Sequence, residues 1–355
     1  MYIPNNFVED SVKVLKKSIQ GRFISNKIYN FFNTDAQNTQ SKIFSKKRQF
    51  NKINLSLDII DYPPLFPKLS FLFRKIRAIR KIASILAWTI MAMPVQIVLL
   101  KLPGKGKKTF VCFFWRNVCR LLGVKLTFYG TILSTCSQQS TLQNRPVLYV
   151  VNHTSWLDIP TIGGLATGCF VAKEEVGTWP LISILCKLGR VIFVSRQKKS
   201  TAKEHLIMTQ RLQNGDSLIL FPEGTSSNGS HLLPFMSSFF VLAKPLKKNM
   251  STYPTPIIQP ISIVYDRLGM LPVNRLQRPV CSWYGDMELA PHLWEFCQWS
   301  DLHASIVFHD PLYPEHFTNR KELAQKTWEV IAHGTSTLRQ RRPDKLTEKL
   351  TKNIH

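Results

Sequence analysis

A histidine and an aspartate stand five residues apart in the stretch "YVVNHTSWLDIP" at 149–160. The apolar residues before them are typical of a buried strand, which puts His153 at the strand's end. At this spacing Asp158 can bind one ring nitrogen of His153 and fix its tautomer. The other nitrogen can then take a proton from a hydroxyl. A structural alternative exists, because Ser155 and Asp158 also have the spacing of a helix capping box.

Two arginines bracket a second apolar stretch, "LGRVIFVSR" at 188–196. Arg190 and Arg196 are separated by an even offset, which places two side chains on the same face of a strand. Paired guanidinium groups are suited to binding a phosphate or a carboxylate. The pattern predicts that both arginines bind substrate, and the alternative is two solvated charges at the ends of a strand.

A carboxylate follows a third apolar run directly in "LILFPEGTSSNGS" at 218–230. Gly224 permits a tight turn, and the next residues offer hydroxyl groups. Ligands of open α/β sheets bind at the carboxyl edge of the strands. We therefore predict a substrate-binding role for Glu223, Gly224, Thr225 and Ser226. The alternative is an ordinary turn between a strand and a helix.

Short apolar runs alternate with helical patterns over most of the chain. Strands are predicted at 146–152, 169–173, 191–195, 217–222, 257–265 and 304–309. Helices are predicted at 159–166, 180–189, 200–215 and 320–340. Because the strands are continuously apolar, both faces of the sheet must be covered. The sequence predicts an α/β fold with a mostly parallel central sheet covered by helices.

A basic and apolar segment precedes this alternating region. The block "RKIRAIRK" runs into an apolar stretch at 82–100, whose length of about 19 residues is close to that of a bilayer span. Lysines close the other end, so charge asymmetry does not select an orientation. A span, a monotopic hairpin with 110–124 as its second arm, and a buried soluble helix are the alternatives. The cationic flanks favour lipid head groups.

The 355 residues divide into four predicted zones. Residues 1–66 form a basic and poorly ordered extension, 67–124 a helical membrane-anchoring segment, 125–340 the α/β domain and 341–355 a basic tail. Seven cysteines without a CxxC pair predict free thiols in a reducing compartment. No metal site is predicted, since no histidine stands at metal-ligand spacing from a cysteine.

The net charge of +25 predicts an anionic partner, which is a nucleic acid, a membrane surface or an acidic substrate. Most of the positive excess lies in residues 1–108, around the apolar segment. No nucleic-acid-binding module is recognisable, so membrane lipids are expected as partners and nucleic acid is not. A non-enzymatic basic protein that binds nucleic acid or membranes is the distant alternative.

The stretches "NHTSWLD", "GRVIFVSR", "FPEGTSS" and "IIQPISIVY" resemble, in this order, the four motifs of the glycerolipid acyltransferases of the lysophosphatidate acyltransferase-like group. The resemblance implies acyl transfer from acyl-CoA or acyl-carrier protein to the hydroxyl of a lysolipid, with no cofactor. It implies that His153 is the general base and that Asp158 orients it. Residues that would line the acceptor site are Arg196, Glu223 and Gly224.

One position departs from the motifs. Many lysophosphatidate acyltransferases have arginine where this chain has Ser226, and the "EGTSS" form is similar to an alphaproteobacterial branch that includes lyso-ornithine lipid acyltransferases. The expected acceptor is 1-acyl-sn-glycerol-3-phosphate, giving phosphatidate for phospholipid biosynthesis, and lyso-ornithine lipid is the alternative. The expected location is the inner cell membrane, with the catalytic domain on the cytoplasmic face.

Overall fold

A computed structural model describes residues 67–133, 145–174, 177, 180–194, 201–243 and 255–340. The predicted extension, the predicted tail and Arg196 lie outside the described residues. From Leu69 onward the described chain belongs to one compact unit, which holds the two N-terminal helices as well as the sheet.

The helices and strands follow the chain in the order below. The helices are α1 (Pro67–Lys101), α2 (Gly106–Leu122), α3 (Asp158–Gly163), α4 (Pro180–Leu188), α5 (Thr201–Gln213), α6 (Arg278–Cys281), α7 (Leu289–Cys297) and α8 (Arg320–Arg339). The strands are β1 (Val124–Tyr129), β2 (Val147–Val151), β3 (Gly168–Lys173), β4 (Ile192–Val194), β5 (Ser217–Leu220), β6 (Ile257–Leu268), β7 (Leu271–Pro272) and β8 (Leu302–Phe308). Short 3₁₀ helices occur at Ser237–Leu242 and Pro314–His316.

The sheet has the strand order β1-β8-β6-β2-β5-β3-β4, with β7 paired to β6. Strands β6, β2, β5, β3 and β4 are parallel neighbours, whereas β8 runs antiparallel to β6 and parallel to β1. Every residue of β2 and β5 is buried, as expected for central strands covered on both faces. The predicted α/β fold with a mostly parallel sheet is confirmed.

All six predicted strands and all four predicted helices are present, with boundaries that shift by a few residues. The structure adds β1 and β7, and it adds α6 and α7 within the tryptophan-rich stretch after β6. Strand β1 was missed because it follows α2 after one residue, Gly123, whose φ of 77° ends the helix in a left-handed turn.

The parallel arrangement brings the ends of β2, β5 and β6 to one edge of the sheet. His153 follows β2 there and Glu223 follows β5. The amide of Asn152 fixes this edge: its Nδ2 donates to Ile263 O at 3.0 Å, and its Oδ1 accepts from Ile263 N at 2.8 Å. Asn152 therefore continues the pairing of β2 with β6 and sets the direction in which the chain leaves the strand.

Helix α1 is tied to the domain at points along its length. The ammonium of Lys81 donates to the carbonyl oxygens of Leu122, Trp299 and Ser300 at 2.6, 2.9 and 3.0 Å, which joins α1 to the ends of α2 and α7. Further along, Gln96 Nε2 donates to Leu188 O at 2.8 Å. These bonds satisfy helix-terminal carbonyl groups that have no partner within their own helices.

The opposite face of α1 is apolar and exposed. Its exposed side chains include Phe73, Ile76, Ile79, Leu86, Ile90 and Val98. Among the described residues, Ser70–Lys101 is the segment long and apolar enough to cross a membrane by length and composition. A large exposed apolar face marks a surface that contacts lipid or protein. Helix α1 is therefore a candidate membrane anchor.

Candidate active site

The carboxylate of Asp158 lies at the centre of the site. Its Oδ2 is 2.8 Å from His153 Nδ1, and Tyr265 Oη donates to its Oδ1 at 2.7 Å. Asp158 has 0% of its surface exposed, whereas the His153 side chain retains 18%. Four donors surround the buried carboxylate, which offsets the cost of removing its charge from water.

The two remaining donors are backbone N–H groups. Asp158 Oδ2 accepts from Thr154 N at 2.7 Å and from Ser155 N at 2.9 Å, and Asp158 N donates to Ser155 O at 3.1 Å. Asp158 therefore stabilises the turn at the start of α3 and binds the imidazole of His153 with the same oxygen. The two interpretations of the sequence, a helix cap and a partner of histidine, describe one arrangement.

The hydrogen bond to Asp158 determines how His153 can react. A carboxylate accepts only, so Nδ1 carries a proton and Nε2 is the basic nitrogen of the neutral ring. Nε2 has no hydrogen-bond partner within the described part of the chain. The ring stacks on Phe221, with centroids 4.2 Å apart and planes at 21°. The arrangement can accept a proton from a hydroxyl at Nε2 and stabilise the resulting imidazolium.

Glu223 holds the backbone of the histidine. Its Oε1 accepts from His153 N at 2.6 Å and its Oε2 accepts from Leu233 N at 2.9 Å. Burial raises the pKa of Glu223 to about 7, and the two N–H donors oppose that shift. Because backbone groups occupy both oxygens, Glu223 positions His153 and the loop that contains Leu233.

The rest of the loop after β5 also binds the histidine turn. Ser227 N donates to His153 O at 2.9 Å, so the backbone of His153 is held at both its N–H and its carbonyl. Gly224 has a φ of 67°, and a Cβ there would lie 2.7 Å from Met236 Sδ. Thr225 is exposed and Ser226 is half-buried.

The tryptophan-rich stretch supports the same turn from the other side. Trp283 N donates to Thr154 O at 2.9 Å. Trp156 Nε1 donates to His292 Nδ1 at 3.0 Å, and His292 Nε2 donates to Pro279 O at 3.0 Å. Burial lowers the pKa of His292. His292 is therefore a buried packing residue.

Arg190 is not part of the cluster. It lies before β4, where it forms an ion pair with Asp216, the residue that precedes β5. Lys108 Nζ contacts the same carboxylate at 2.6 Å. Because β4 and β5 run in the same direction as β2, their starts lie at the edge opposite His153. Arg190 therefore lies apart from the His153 cluster, and its predicted pairing with Arg196 falls on a residue outside the described part of the chain.

Two site residues were missed in the sequence, although a signal for each was present. Tyr265 is the last residue of the predicted strand at 257–265, and Phe221 is near the end of the predicted strand at 217–222. Both lie at the carboxyl edge that the prediction identified for ligands. The apolar pattern places both residues in strands, but it does not show their contacts with Asp158 and His153.

The known proteins that this chain resembles share a chemistry. A family model described as acyltransferase matches residues 134–264, which include His153, Asp158 and Glu223. The lyso-ornithine lipid O-acyltransferase of Brucella abortus (strain 2308) is 33% identical over 251 residues, covering 70% of this chain and 90% of that protein. The chain belongs to the acyltransferase family.

Other members and a solved structure agree with this assignment. The 1-acyl-sn-glycerol-3-phosphate acyltransferase of Neisseria gonorrhoeae is 27% identical over 163 residues, covering 46% of this chain and 58% of that protein. The crystal structure of the 1-acyl-sn-glycerophosphate (LPA) acyltransferase PlsC from Thermotoga maritima matches with a TM-score of 0.51 at 21% identity. It covers 74% of this chain and 97% of that chain, and it supports the fold. Membership in the acyltransferase family favours an enzyme over the non-enzymatic alternative.

Proposed function

We propose that this acyltransferase moves a fatty acyl group from a thioester donor to the hydroxyl of a lysolipid, with His153 as the general base. The observation that carries this proposal is the 2.8 Å contact between His153 Nδ1 and Asp158 Oδ2, which leaves Nε2 as the basic nitrogen. The stacked Phe221 ring and the buried carboxylate hold the imidazole in one orientation. Such pre-organisation lowers the cost of reaching the reactive geometry.

The reaction needs no covalent intermediate on the enzyme. The acceptor hydroxyl attacks the thioester carbonyl while its proton passes to His153 Nε2, so a C–O bond forms. The C–S bond then breaks, and the proton moves from the imidazolium to the departing thiolate. Asp158 stabilises the imidazolium between the two proton transfers.

A backbone N–H group is the expected donor for the charge that develops on the carbonyl oxygen. The N–H groups of Thr154 and Ser155 bind Asp158, and the N–H of Gly224 donates to Phe221 O at 3.1 Å. Within the described residues, the N–H groups of Thr225 and Ser226 have no acceptor. We assign the oxyanion-binding role to these two.

The proposal also specifies which lysolipid is the acceptor. Phosphatidate synthesis is the commoner role in the family that the motifs resemble, which favours 1-acyl-sn-glycerol-3-phosphate. The Brucella abortus relative, in contrast, matches over most of its length and is named for lyso-ornithine lipid. The relative named for 1-acyl-sn-glycerol-3-phosphate matches at lower identity and over a smaller share. Ser226 adds no positive charge beside the histidine turn. We therefore propose lyso-ornithine lipid as the acceptor and lysophosphatidate as the second candidate.

The proposed location is the inner membrane, with the domain on the cytoplasmic face. Acyl-CoA and acyl-carrier protein are the proposed donors, and both are used in the cytoplasm. The exposed face of α1 would hold the domain at the lipid surface, and cations near anionic lipid would add about 1 kcal/mol each.

A parallel assay tests the proposal. The full chain is purified in detergent and given a labelled acyl donor with either lyso-ornithine lipid or lysophosphatidate, and a His153→Ala variant serves as the control. We expect labelled product from wild type with lyso-ornithine lipid and none above background from the variant. Product from lysophosphatidate alone would reverse the order of the acceptors. Equal rates for His153→Ala and wild type would disprove the mechanism.

A further inference from the structure

Two arginines from distant parts of the chain meet on one serine of the loop after β5. Arg278 NH1 donates to Ser230 Oγ at 2.6 Å, and Arg339 NH1 donates to Ser230 O at 2.7 Å. Each guanidinium has five N–H donors, so most of them remain available. Among the described residues, no carboxylate lies within ion-pair distance of either arginine.

The two positive charges affect each other. Burial lowers the pKa of Arg339, and the nearby charge of Arg278 lowers it further, while the carboxylate of Glu223 opposes this. Both side chains are half-buried. Two like charges held together in a low-dielectric region repel, and an anion placed between them relieves the repulsion. Guanidinium pairs of this kind bind carboxylate or phosphate groups well.

The arginines line an open cleft that reaches the catalytic turn. The cleft has a volume of about 80 Å³, and its walls include Thr154, Gly229 and Ser282 as well as the two arginines. Thr154 is the residue next to His153. Its Oγ1 is buried and has no hydrogen-bond partner among the described residues. The cleft therefore extends from the two arginines to the residue that follows the proposed base.

One acidic residue lies in the same cleft. Asp266 follows Tyr265 on β6, and its Oδ1 accepts from His303 Nδ1 at 2.6 Å while its Oδ2 accepts from Ser305 Oγ at 3.2 Å. His303 Nε2 lies 2.8 Å from Thr127 Oγ1, so both ring nitrogens of His303 have polar partners. Each oxygen of a carboxylate can accept a second hydrogen bond.

We propose that this cleft binds the zwitterionic amino-acid head group of the acceptor lipid, with its carboxylate on Arg278 and Arg339 and its ammonium on Asp266. The proposal rests on the proposed function, and it identifies the residues that select the acceptor. An N-acylated ornithine has both a free carboxylate and a side-chain ammonium. A phosphate head group could bind to both arginines, but the carboxylate of Asp266 would repel it. The cleft therefore favours lyso-ornithine lipid over lysophosphatidate.

Binding and turnover of five variants test the subsite in the detergent-solubilised full chain. Arg278→Gln and Arg339→Gln remove one guanidinium each, and Asp266→Asn removes the carboxylate. Arg275→Gln is the matched control, because Arg275 is exposed and lies outside the cleft lining. Calorimetric titrations with lyso-ornithine lipid and with lysophosphatidate give the dissociation constants, and initial rates give KM and kcat.

We expect Arg278→Gln and Arg339→Gln to weaken binding of lyso-ornithine lipid by about 10- to 100-fold, with the loss in KM rather than kcat, and Arg275→Gln to match wild type. Arg278→Lys keeps the positive charge but loses the planar guanidinium that can donate two parallel hydrogen bonds. Its affinity for lyso-ornithine lipid should lie between those of wild type and Arg278→Gln. Asp266→Asn should weaken binding of lyso-ornithine lipid and strengthen binding of lysophosphatidate. In Asp266→Asn, kcat/KM for lyso-ornithine lipid should therefore fall relative to kcat/KM for lysophosphatidate.

Two results with the variants would overturn the subsite. One is binding of lyso-ornithine lipid by both arginine variants at the strength of Arg275→Gln. The other is an Asp266→Asn variant in which the ratio of kcat/KM for lyso-ornithine lipid to kcat/KM for lysophosphatidate equals that of wild type. Wild type could bind lyso-ornithine lipid, and the variants could weaken that binding as expected, without any acyl transfer to this lipid. In that case the subsite stands and the proposed function fails. If wild type binds neither lipid, the subsite is wrong.

Discussion

Tyr265 donates a hydrogen bond of 2.7 Å to Oδ1 of Asp158, the carboxylate oxygen that the His153 ring does not use. Burial, together with the negative charge of Asp158, raises the pKa of Tyr265 well above its ordinary value of 10. The phenol therefore stays protonated and remains a donor over the working pH range. Strand β6 in this way fixes the carboxylate that orients the base on the end of β2.

Tyr265→Phe should weaken this support without removing a reacting group. The variant leaves Asp158 Oδ1 without its side-chain donor in a buried site, and a hydrogen bond to a charged group contributes about 2 kcal/mol. We expect a loss of stability of that size and a decrease in kcat of about tenfold, with KM for the acceptor nearly unchanged. Thermal unfolding and initial rates measure both. A wild-type kcat would show that the phenol does not position the pair.

His153 and Asp158 should act as one unit. His153→Ala should lower kcat by about 10²- to 10⁴-fold, the range for a general base, and leave membrane association intact because α1 is unchanged. Asp158→Asn should also lower kcat strongly, since it removes the acceptor that fixes the tautomer. The double variant should be no slower than His153→Ala, because residues of one catalytic unit are not additive. A further loss in the double variant would indicate a separate role for Asp158.

Glu223 should make stability depend on pH. Burial raises its pKa from an ordinary 4.5 to about 7, so the folded protein binds this proton more tightly than the unfolded chain does. The stabilising contribution is full below about pH 4.5 and is lost as the pH rises through 7. A shift of this size corresponds to about 3 kcal/mol at most.

Glu223→Gln should remove that dependence, because the amide does not titrate. Unfolding free energies measured between about pH 4.5 and 8 should fall less steeply with rising pH in the variant than in wild type. Glu329→Gln, at an exposed position of α8, is the control and should follow wild type. Parallel curves for wild type and Glu223→Gln would show that Glu223 does not titrate in this window.

Gly224 combines a left-handed backbone with a close contact. Its φ is 67°, and an added Cβ would lie 2.7 Å from Met236 Sδ. Gly215 has a φ of 71° and nothing within 4 Å of its Cβ position, so it provides a matched control for the backbone term alone. Gly215→Ala should cost about 1 kcal/mol of stability. Gly224→Ala should cost up to about 1 kcal/mol more, because the exposed Met236 side chain must move to make room for the methyl group.

The extra cost should depend on Met236. In a Met236→Ala background the sulfur is absent, so Gly224→Ala should cost about as much as Gly215→Ala. Thermal unfolding of the single and double variants gives the coupling between the two positions. Equal costs at Gly224 and Gly215 in the wild-type background would show that the loop moves to accept the methyl group.

The edge of the sheet that holds the site could be predicted because apolar runs ended directly before His153 and Glu223. Those runs imply parallel strands, and parallel strands end at one edge. The functions of side chains beyond that edge were harder to predict. The sequence predicts that Glu223 binds substrate. Only the structure shows that its two oxygens accept hydrogen bonds from the N–H groups of His153 and Leu233.

Long-range contacts set the remaining limits of prediction. Arg190 was predicted to bind substrate, but its ion pair with Asp216 holds it at the edge of the sheet opposite His153. Arg278 and Arg339 are far apart in the sequence and meet at Ser230. No local pattern marks such a pair, because the crossing of α8 over the sheet decides it.

A substitution at Ser226 also tests which acceptor lipid the enzyme selects. The residue is half-buried and precedes Ser227, whose N–H binds His153 O at 2.9 Å. Ser226→Arg would add a guanidinium beside the catalytic turn, and this should favour a phosphate head group. We expect kcat/KM for lysophosphatidate to rise by about tenfold relative to that for lyso-ornithine lipid.

Thr225→Arg is the matched control for that substitution, because it adds the same charge one residue away at an exposed position. It should change the ratio for the two acceptors much less, since an exposed charge is screened by water and salt. Initial rates with both acceptors at two salt concentrations separate the two variants. If Thr225→Arg and Ser226→Arg changed the ratio equally, the effect would come from net charge, and Ser226 would have no direct part in selecting the head group.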